Sequence, residues 1–209
     1  MIRPSITRPD RRQPQSNDPA RQSVLPKYIK TARQQHEVII DQCSLYTIYR
    51  VNTFQNEMFY ILKQYNHGFN DDYRAMQSLE FEITALQNLK HPAIIRLMEH
   101  SLTQGTLRLE FLSRGTLRES LSNESNNLTP TVRVKTIYGL ASALEYMHKL
   151  GFVHPDIIPE RLSYDILMEV RLCSFDHCAR YEHMPYQAPE VETFATSPAS
   201  NIYSLGVIM

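Results

Sequence analysis

The spacing of large apolar residues changes once along this chain, near residue 113, and that change limits the folds open to it. Before it come short stretches rich in β-branched and aromatic residues: "HEVII" (36–40), "YTIYRV" (46–51), "EMFYILKQY" (57–65), "AIIRLMEHS" (93–101) and "TLRLEFL" (106–112). Their length and composition predict strands, with a short turn between the first two and a turn at Gln104-Gly105 between the last two. One segment interrupts them. Met76, Leu79, Ile83 and Leu86 recur at helical spacing, and His91-Pro92 ends that helix. After the change, Thr129 caps and Pro130 opens a long helix over "TVRVKTIYGLASALEYMHKL". Ile137, Leu140, Ala141, Leu144 and Met147 form its apolar stripe, and Gly151 closes it. Short strands at "RLSYD" and "VRLCSF" flank a turn, and "ASNIYSLGVIM" begins another helix. Strands with one helix, then mostly helices, is an α+β order.

Charge separates a further region. The chain is neutral as a whole, but residues 1–34 hold six Arg and two Lys against Asp10 and Asp18, leaving +6 there and −6 over the rest. Five prolines and few large apolar residues accompany that charge, so the segment cannot bury enough surface to offset its ordering entropy. Residues 1–35 are expected to be a disordered basic tail. With Tyr28 as its one aromatic residue and no tight Lys/Arg block, a solvated tail is favoured over one that binds nucleic acid or an acidic membrane. No apolar run is long enough to span a bilayer, the N-terminus lacks an apolar signal region, and Ile2 excludes myristoylation. Three cysteines make no disulfide framework in 209 residues, so a reducing cytoplasmic or nuclear setting is expected.

Within "GFVHPDIIPERL" (151–162), His154, Asp156 and Pro159-Glu160 stand as in the catalytic loop H-R-D-L-x-x-x-N of the Ser/Thr protein kinases. Other stretches agree in order. "FYILK" resembles V-A-I-K, "FEITALQNLKHPAII" the end of the helix that follows, and "LRLEFLSRGTL" the hinge between lobes. "VRLCSFDHCAR" resembles the metal-binding segment, "YQAPEV" the A-P-E motif, and "ASNIYSLGVIM" the start of helix F. From about residue 36 onward the chain resembles the eukaryotic protein kinase superfamily. The resemblance implies a two-lobed fold, with a strand-rich lobe at about 36–112 and a partial helical lobe at about 113–209 that ends in helix F, as in a fragment or truncated product. It assigns Lys63 as the phosphate-binding lysine, Glu82 as its ion-pair partner, Leu109 as gatekeeper, Glu110 to Leu112 as the hinge and Asp156 as catalytic base. Leu86, Leu97, His154 and Phe175 match the apolar spine joining the lobes.

Departures cluster where phosphate and metal are handled. The family's Gly-rich loop is "DQCSLYTIY" here, with Asp41 where phosphates would approach, and the first glycine in the chain is Gly68. In "SFD", Ser174 replaces the metal-binding Asp and Asp176 the following Gly; Arg161 replaces the metal-binding Asn. A hydroxyl and a cation thus stand for two hard-oxygen ligands. Ile61 fills the place of a small residue above the purine, and Ser163 that of an apolar residue below it. Pro155 replaces the arginine that grips an activation-loop phosphate, Ile158 the catalytic-loop lysine, and Asn201 the helix-F aspartate that anchors the loop backbone.

These substitutions lead to an expectation of a catalytically inactive kinase-like domain that binds or scaffolds protein partners. Lys63 and Glu82 then serve as a lobe-bridging ion pair, and Asp156 is a vestigial carboxylate facing Arg161. No cofactor is expected: weak ATP binding at most, and no Mg²⁺. The rival is a weakly active Ser/Thr kinase using Lys63 and Asp156, and the third reading is a truncated product without function. Cys173, His177, Cys178 and His183 do not have zinc-site spacing, so no metal is expected there either. Tyr181 and Tyr186 read as ordinary loop tyrosines rather than phosphorylation sites.

Overall fold

A computed structural model describes residues 35–53, 58–122, 128–176, 185–192 and 196–209. Residues 1–34 of the expected tail lie outside the described residues, as do His177, Cys178, Tyr181 and His183, while Gln35, assigned to the tail, already begins the first strand. Strands β1 (Gln35–Gln42), β2 (Tyr46–Thr53), β3 (Met58–Tyr65), β4 (Leu97–Ser101) and β5 (Thr106–Glu110) form one sheet in the order β1-β2-β3-β5-β4. All pairs are antiparallel, and the pairing of β1 with β2 slips by one residue between Ile39 and Asp41.

Helix α1 (Tyr73–Asn88) follows β3. It ends at Asn88, ahead of the His91-Pro92 stop that the sequence suggests. Asp72 caps it by accepting hydrogen bonds from the Arg74 and Ala75 amides, and Leu89 turns into an extended, buried conformation beyond its end. Its buried face includes Leu79, Ile83 and Leu86 as expected, with Ser78 and Glu82 among them. Met76 is half-buried, packed at the core edge.

A strand expected over 93–101 begins only at Leu97. The preceding residues pair elsewhere: the Leu172 amide donates to Ala93 O at 2.8 Å and the Ile95 amide to Leu172 O at 3.0 Å. Those bonds fasten the first lobe to the small sheet of β6 (Leu162–Tyr164) and β7 (Val170–Leu172). A short helix without a clear sequence signature, α2 (Leu117–Ser122), comes next.

Helix α3 (Pro130–Lys149) has Thr129 as its cap, accepting from the Val132 amide. Gly151 ends it with φ 77°, a left-handed conformation that glycine adopts without steric cost. Its buried face is rotated from the expected stripe, comprising Thr136, Leu140, Ala143, Leu144 and Met147, while Ile137 and Ala141 are half-buried. Thr136 can face inward because its hydroxyl is satisfied twice, by Val132 O at 2.8 Å and the Tyr164 hydroxyl at 2.9 Å. Helix α4 (Pro198–Ile208) is opened by a capping box between Ser197 and Ser200.

A continuous apolar core runs from Tyr46 through α1, β5 and α3 to Leu205. Leu79, Leu86, Leu107, Leu140 and Leu144 are fully buried in it, each contributing roughly 1.5–3 kcal/mol by leaving water. The core therefore holds the strand lobe and the helical lobe against the segment between β7 and α4. Among the described residues, no helix is long and apolar enough to cross a membrane.

Candidate functional site

Four segments meet at Lys63. It lies on β3, opposite Ile48 of β2, and is only 1% exposed. Its Nζ sits 2.6 Å from Glu82 Oε2 on α1 and 2.7 Å from Asp176 Oδ2 beyond β7. The Tyr46 ring, at the start of β2, lies 3.8 Å from the same nitrogen, and the Tyr46 hydroxyl donates to Asp176 Oδ2 at 3.2 Å. Burial alone would lower the lysine pKa, but Asp176 and Glu82 outweigh it and hold the ammonium well above its ordinary value. Burial raises the Glu82 carboxyl above the usual carboxylate range, against the pull of Lys63.

Sequence reasoning paired Lys63 with Glu82 and left Asp176 as a replaced glycine; the fold makes Asp176 a second partner. Ser174 produces that outcome. Its φ of 61° is a left-handed conformation, uncommon for a residue with a side chain. The turn sends the Phe175 ring to within 4.8 Å of His154, edge-on, and directs the next side chain to Lys63. The Phe175 amide donates to the other Glu82 oxygen at 3.2 Å. Tyr46 was likewise missed, although a tyrosine within a stretch matching a glycine-rich loop was a visible signal.

Arg161, from the 3₁₀ turn Pro159–Arg161, is buried on the far side of this segment. Its Nη1 donates to Ser174 O at 2.9 Å and Asp176 O at 3.5 Å, and its Nε lies 3.4 Å from Asp156 Oδ2. The guanidinium therefore stands between the carboxylate assigned as catalytic base and the backbone of the segment assigned to metal. Ile158, in the catalytic-loop lysine position, is 1% exposed and presents nothing charged. Among the described residues, no three His, Cys, Asp or Glu side chains gather as a metal site.

The loop carrying Asp156 is anchored by Asn201 on α4. The His154 amide donates to Asn201 Oδ1 and Asn201 Nδ2 donates to His154 O, both at 2.9 Å. His154 Nδ1 accepts from the Asp156 amide at 3.1 Å, so Nε2 carries the proton and donates to Cys173 O at 3.1 Å. Burial, helped by the Arg161 charge, lowers the His154 pKa to about 3, keeping the ring neutral.

The remaining assigned residues line the boundary between lobes. Leu109 is buried opposite Ile61 on the paired strand, and Ile61 and Leu112 pack on the core as half-buried residues. Glu110 Oε1 accepts from the Arg96 amide at 2.8 Å. Ser163 is half-buried on β6, and the neighbouring Cys173 thiol donates to Arg171 O at 3.4 Å, its pKa pushed up by burial to about 12. Pro155 is half-buried beside Asp156. Asp41 is exposed and accepts from the Gln42 amide; it stands two strands from Lys63 in the same row of the sheet, paired with Ile48 as Ile48 is with Lys63.

The protein kinase domain family model matches residues 39–209. A protein of Dictyostelium discoideum named a probable serine/threonine-protein kinase is 32% identical over 142 residues, covering 61% of this chain and 28% of its own. Aurora kinase of Schizosaccharomyces pombe is 32% identical over 142 residues, with 61% and 39% covered. A serine/threonine-protein kinase of Rattus norvegicus is 38% identical over 86 residues, covering 40% of this chain and 11% of its own. The chain belongs to the protein kinase domain family. It spans well under half the length of these relatives.

Proposed function

We propose that this is a catalytically inactive protein kinase domain that acts by binding protein partners. The observation carrying this reading is the Lys63 ammonium, buried at 1% exposure with carboxylates at 2.6 and 2.7 Å and an aromatic ring at 3.8 Å. Phosphoryl transfer depends on a cation free to meet phosphate and on metal that neutralises its charge. Here the cation is engaged by the chain's own groups. The donor set does not fit Mg²⁺, which needs hard oxygen ligands in near-octahedral array. Ser174 offers a hydroxyl, Arg161 a positive charge, and the carboxylates Asp156 and Asp176 each lie against a cation.

What this chain keeps of the family is a framework: Lys63–Glu82 within the strand lobe, the His154–Phe175 contact and the Asn201 anchor within the helical lobe, and Lys63–Asp176 between the two. Such a scaffold offers a rigid surface for protein recognition without a reaction. The test is phosphotransfer from labelled ATP to a general protein substrate, with Mg²⁺ or Mn²⁺, beside melts with and without nucleotide. Neither transfer nor stabilisation is expected. Transfer that disappears in Lys63→Met and Asp156→Asn would establish the weak Ser/Thr kinase instead.

A further inference from the structure

We propose that the turn between β6 and β7 is a docking point for an acidic linear peptide, with Ile166 and Leu167 as apolar anchors and Arg96, Arg114 and Lys135 as charge partners. The inference rests on the reading above, that the domain acts by binding protein partners, and it gives that partner a chemistry. Ile166 and Leu167 stand side by side at 68% and 74% exposure. The turn that carries them is fixed by other residues. Asp165 Oδ1 accepts from the Leu167 and Glu169 amides at 2.9 and 3.0 Å, and the Asp165 amide donates to Glu169 O at 3.1 Å. Arg171 holds the other Asp165 oxygen at 2.9 Å. Met168, at φ 61°, packs on the core. Two bare aliphatic side chains are thus presented from a preformed backbone, which reduces the ordering entropy lost on binding.

Charge and area select the partner. The carboxylates of this region are engaged internally: Asp165 by Arg171, Glu169 by Lys135 at 3.1 Å, and Glu110 by the Arg96 amide and, at 3.7 Å, by Arg171. Arg96 and Arg114 are exposed, and among the described residues neither side chain makes an ion pair. Both stand on segments that adjoin the turn. The Arg114 amide donates to Tyr164 O at 3.1 Å, on the strand leading into it, and Arg96 adjoins Glu110, which Arg171 links to Asp165. On the α3 side Lys135 is 54% exposed, and Tyr138, its neighbour one turn along, is 76% exposed. Aliphatic anchors, a tyrosine and three cations match a peptide that carries apolar residues among Asp and Glu. A second copy of the chain fits less well, because this patch of a few hundred Å² is far below the roughly 800 Å² each partner gives a stable dimer. A flat anionic bilayer would meet Asp165, Glu169 and Glu110 along with the cations, whereas a peptide can set its acids on the cations alone.

Random phage-displayed peptides of about twelve residues should be selected on the full-length protein, and the most enriched one resynthesised with a fluorescein label for titration. Acidic sequences with aliphatic residues should be enriched. Binding should weaken at least about tenfold in an Ile166→Ser/Leu167→Ser double variant, whose substitutions remove the anchors from the surface without touching the core. An Arg96→Glu/Arg114→Glu variant should lose about tenfold as well, and wild-type binding should weaken as salt rises. No enrichment, a basic consensus, or an affinity that neither variant moves overturns the proposal. So does binding to phosphatidylserine vesicles, or concentration-dependent self-association in sedimentation, that the serine variant abolishes. Should the serine variant fail to melt cooperatively, the arginine variant decides, and unchanged affinity in it overturns the proposal. The two readings fail separately: an absent peptide site leaves the domain inactive as proposed, whereas phosphotransfer by wild type overturns the inactive-domain reading whatever the peptide does.

Discussion

Two buried polar networks tie distant parts of this chain together, and they do so by opposite means. Around His154, a neutral imidazole, an amide side chain and backbone groups satisfy one another, and Asn201 pairs with both the amide and the carbonyl of a single residue. Around Lys63, ionised groups are stacked at 2.6–2.7 Å in a place shut off from water. A neutral network loses about a hydrogen bond's desolvation when cut. A charged one is left with an uncompensated ion. The asparagine at the anchor suits the first design: an aspartate could accept from the His154 amide but would turn a second lone-pair atom on its carbonyl.

The largest effect should come from cutting the charged network. Lys63→Met leaves Glu82 and Asp176 facing each other and should cost about 3–5 kcal/mol in urea unfolding at pH 8. Since burial already raises the Glu82 carboxyl, acidification that protonates it should relieve part of that loss. A cost below about 1 kcal/mol at pH 8 would mean that the ion cluster is not buried as described.

Acid should then separate the two networks. His154 is held neutral down to about pH 3, whereas an unfolded histidine protonates near 6.5. The unfolded chain therefore binds the extra proton first, so this group's contribution is present above pH 6.5 and is lost as pH falls toward 3. Replacing it, as in His154→Gln, should flatten the stability profile over that window; an unchanged slope would place the proton uptake elsewhere. Lys63 works at the other end. Its raised pKa makes its contribution complete below pH 10.5 and lost as pH rises past that value.

Cutting the neutral anchor should cost somewhat less than cutting the lysine. Asn201→Ala orphans a buried amide and a buried carbonyl, about 2–4 kcal/mol by equilibrium unfolding. Equal losses from Asn201→Ala and Lys63→Met would erase the contrast drawn between the networks. The smallest effect should be at the surface. Arg118 pairs with Glu160 at 2.6 Å and donates to the Tyr186 hydroxyl, but both charged side chains are 42% exposed. Arg118→Ala should lose less than about 1 kcal/mol, and less again in 0.5 M salt.

Periodicity and local chemistry alone predicted the strands of the first lobe and helices α1, α3 and α4 in order, with Thr129 and Gly151 as the limits of the long helix; the kinase words along the chain were read by resemblance. Those signals are local: a cap, a turn or an amphipathic stripe is written within a few residues. The same reading placed Lys63 opposite Glu82 by resemblance, and it marked Ser174, Arg161 and Asp176 as departures. What it could not supply was where a displaced carboxylate goes. The left-handed turn at Ser174 is a backbone conformation set by Glu82 taking the Phe175 amide and Arg161 taking the Ser174 carbonyl, partners 93 and 13 residues away in sequence. The rotation of α3 toward Thr136 likewise depends on a hydroxyl partner, Tyr164, in a strand 28 residues further on. Composition and spacing determined which groups this chain carries; only tertiary packing decided that Asp176 and Tyr46 close over Lys63, because the energy of a buried charge depends on every neighbour that folding brings to it.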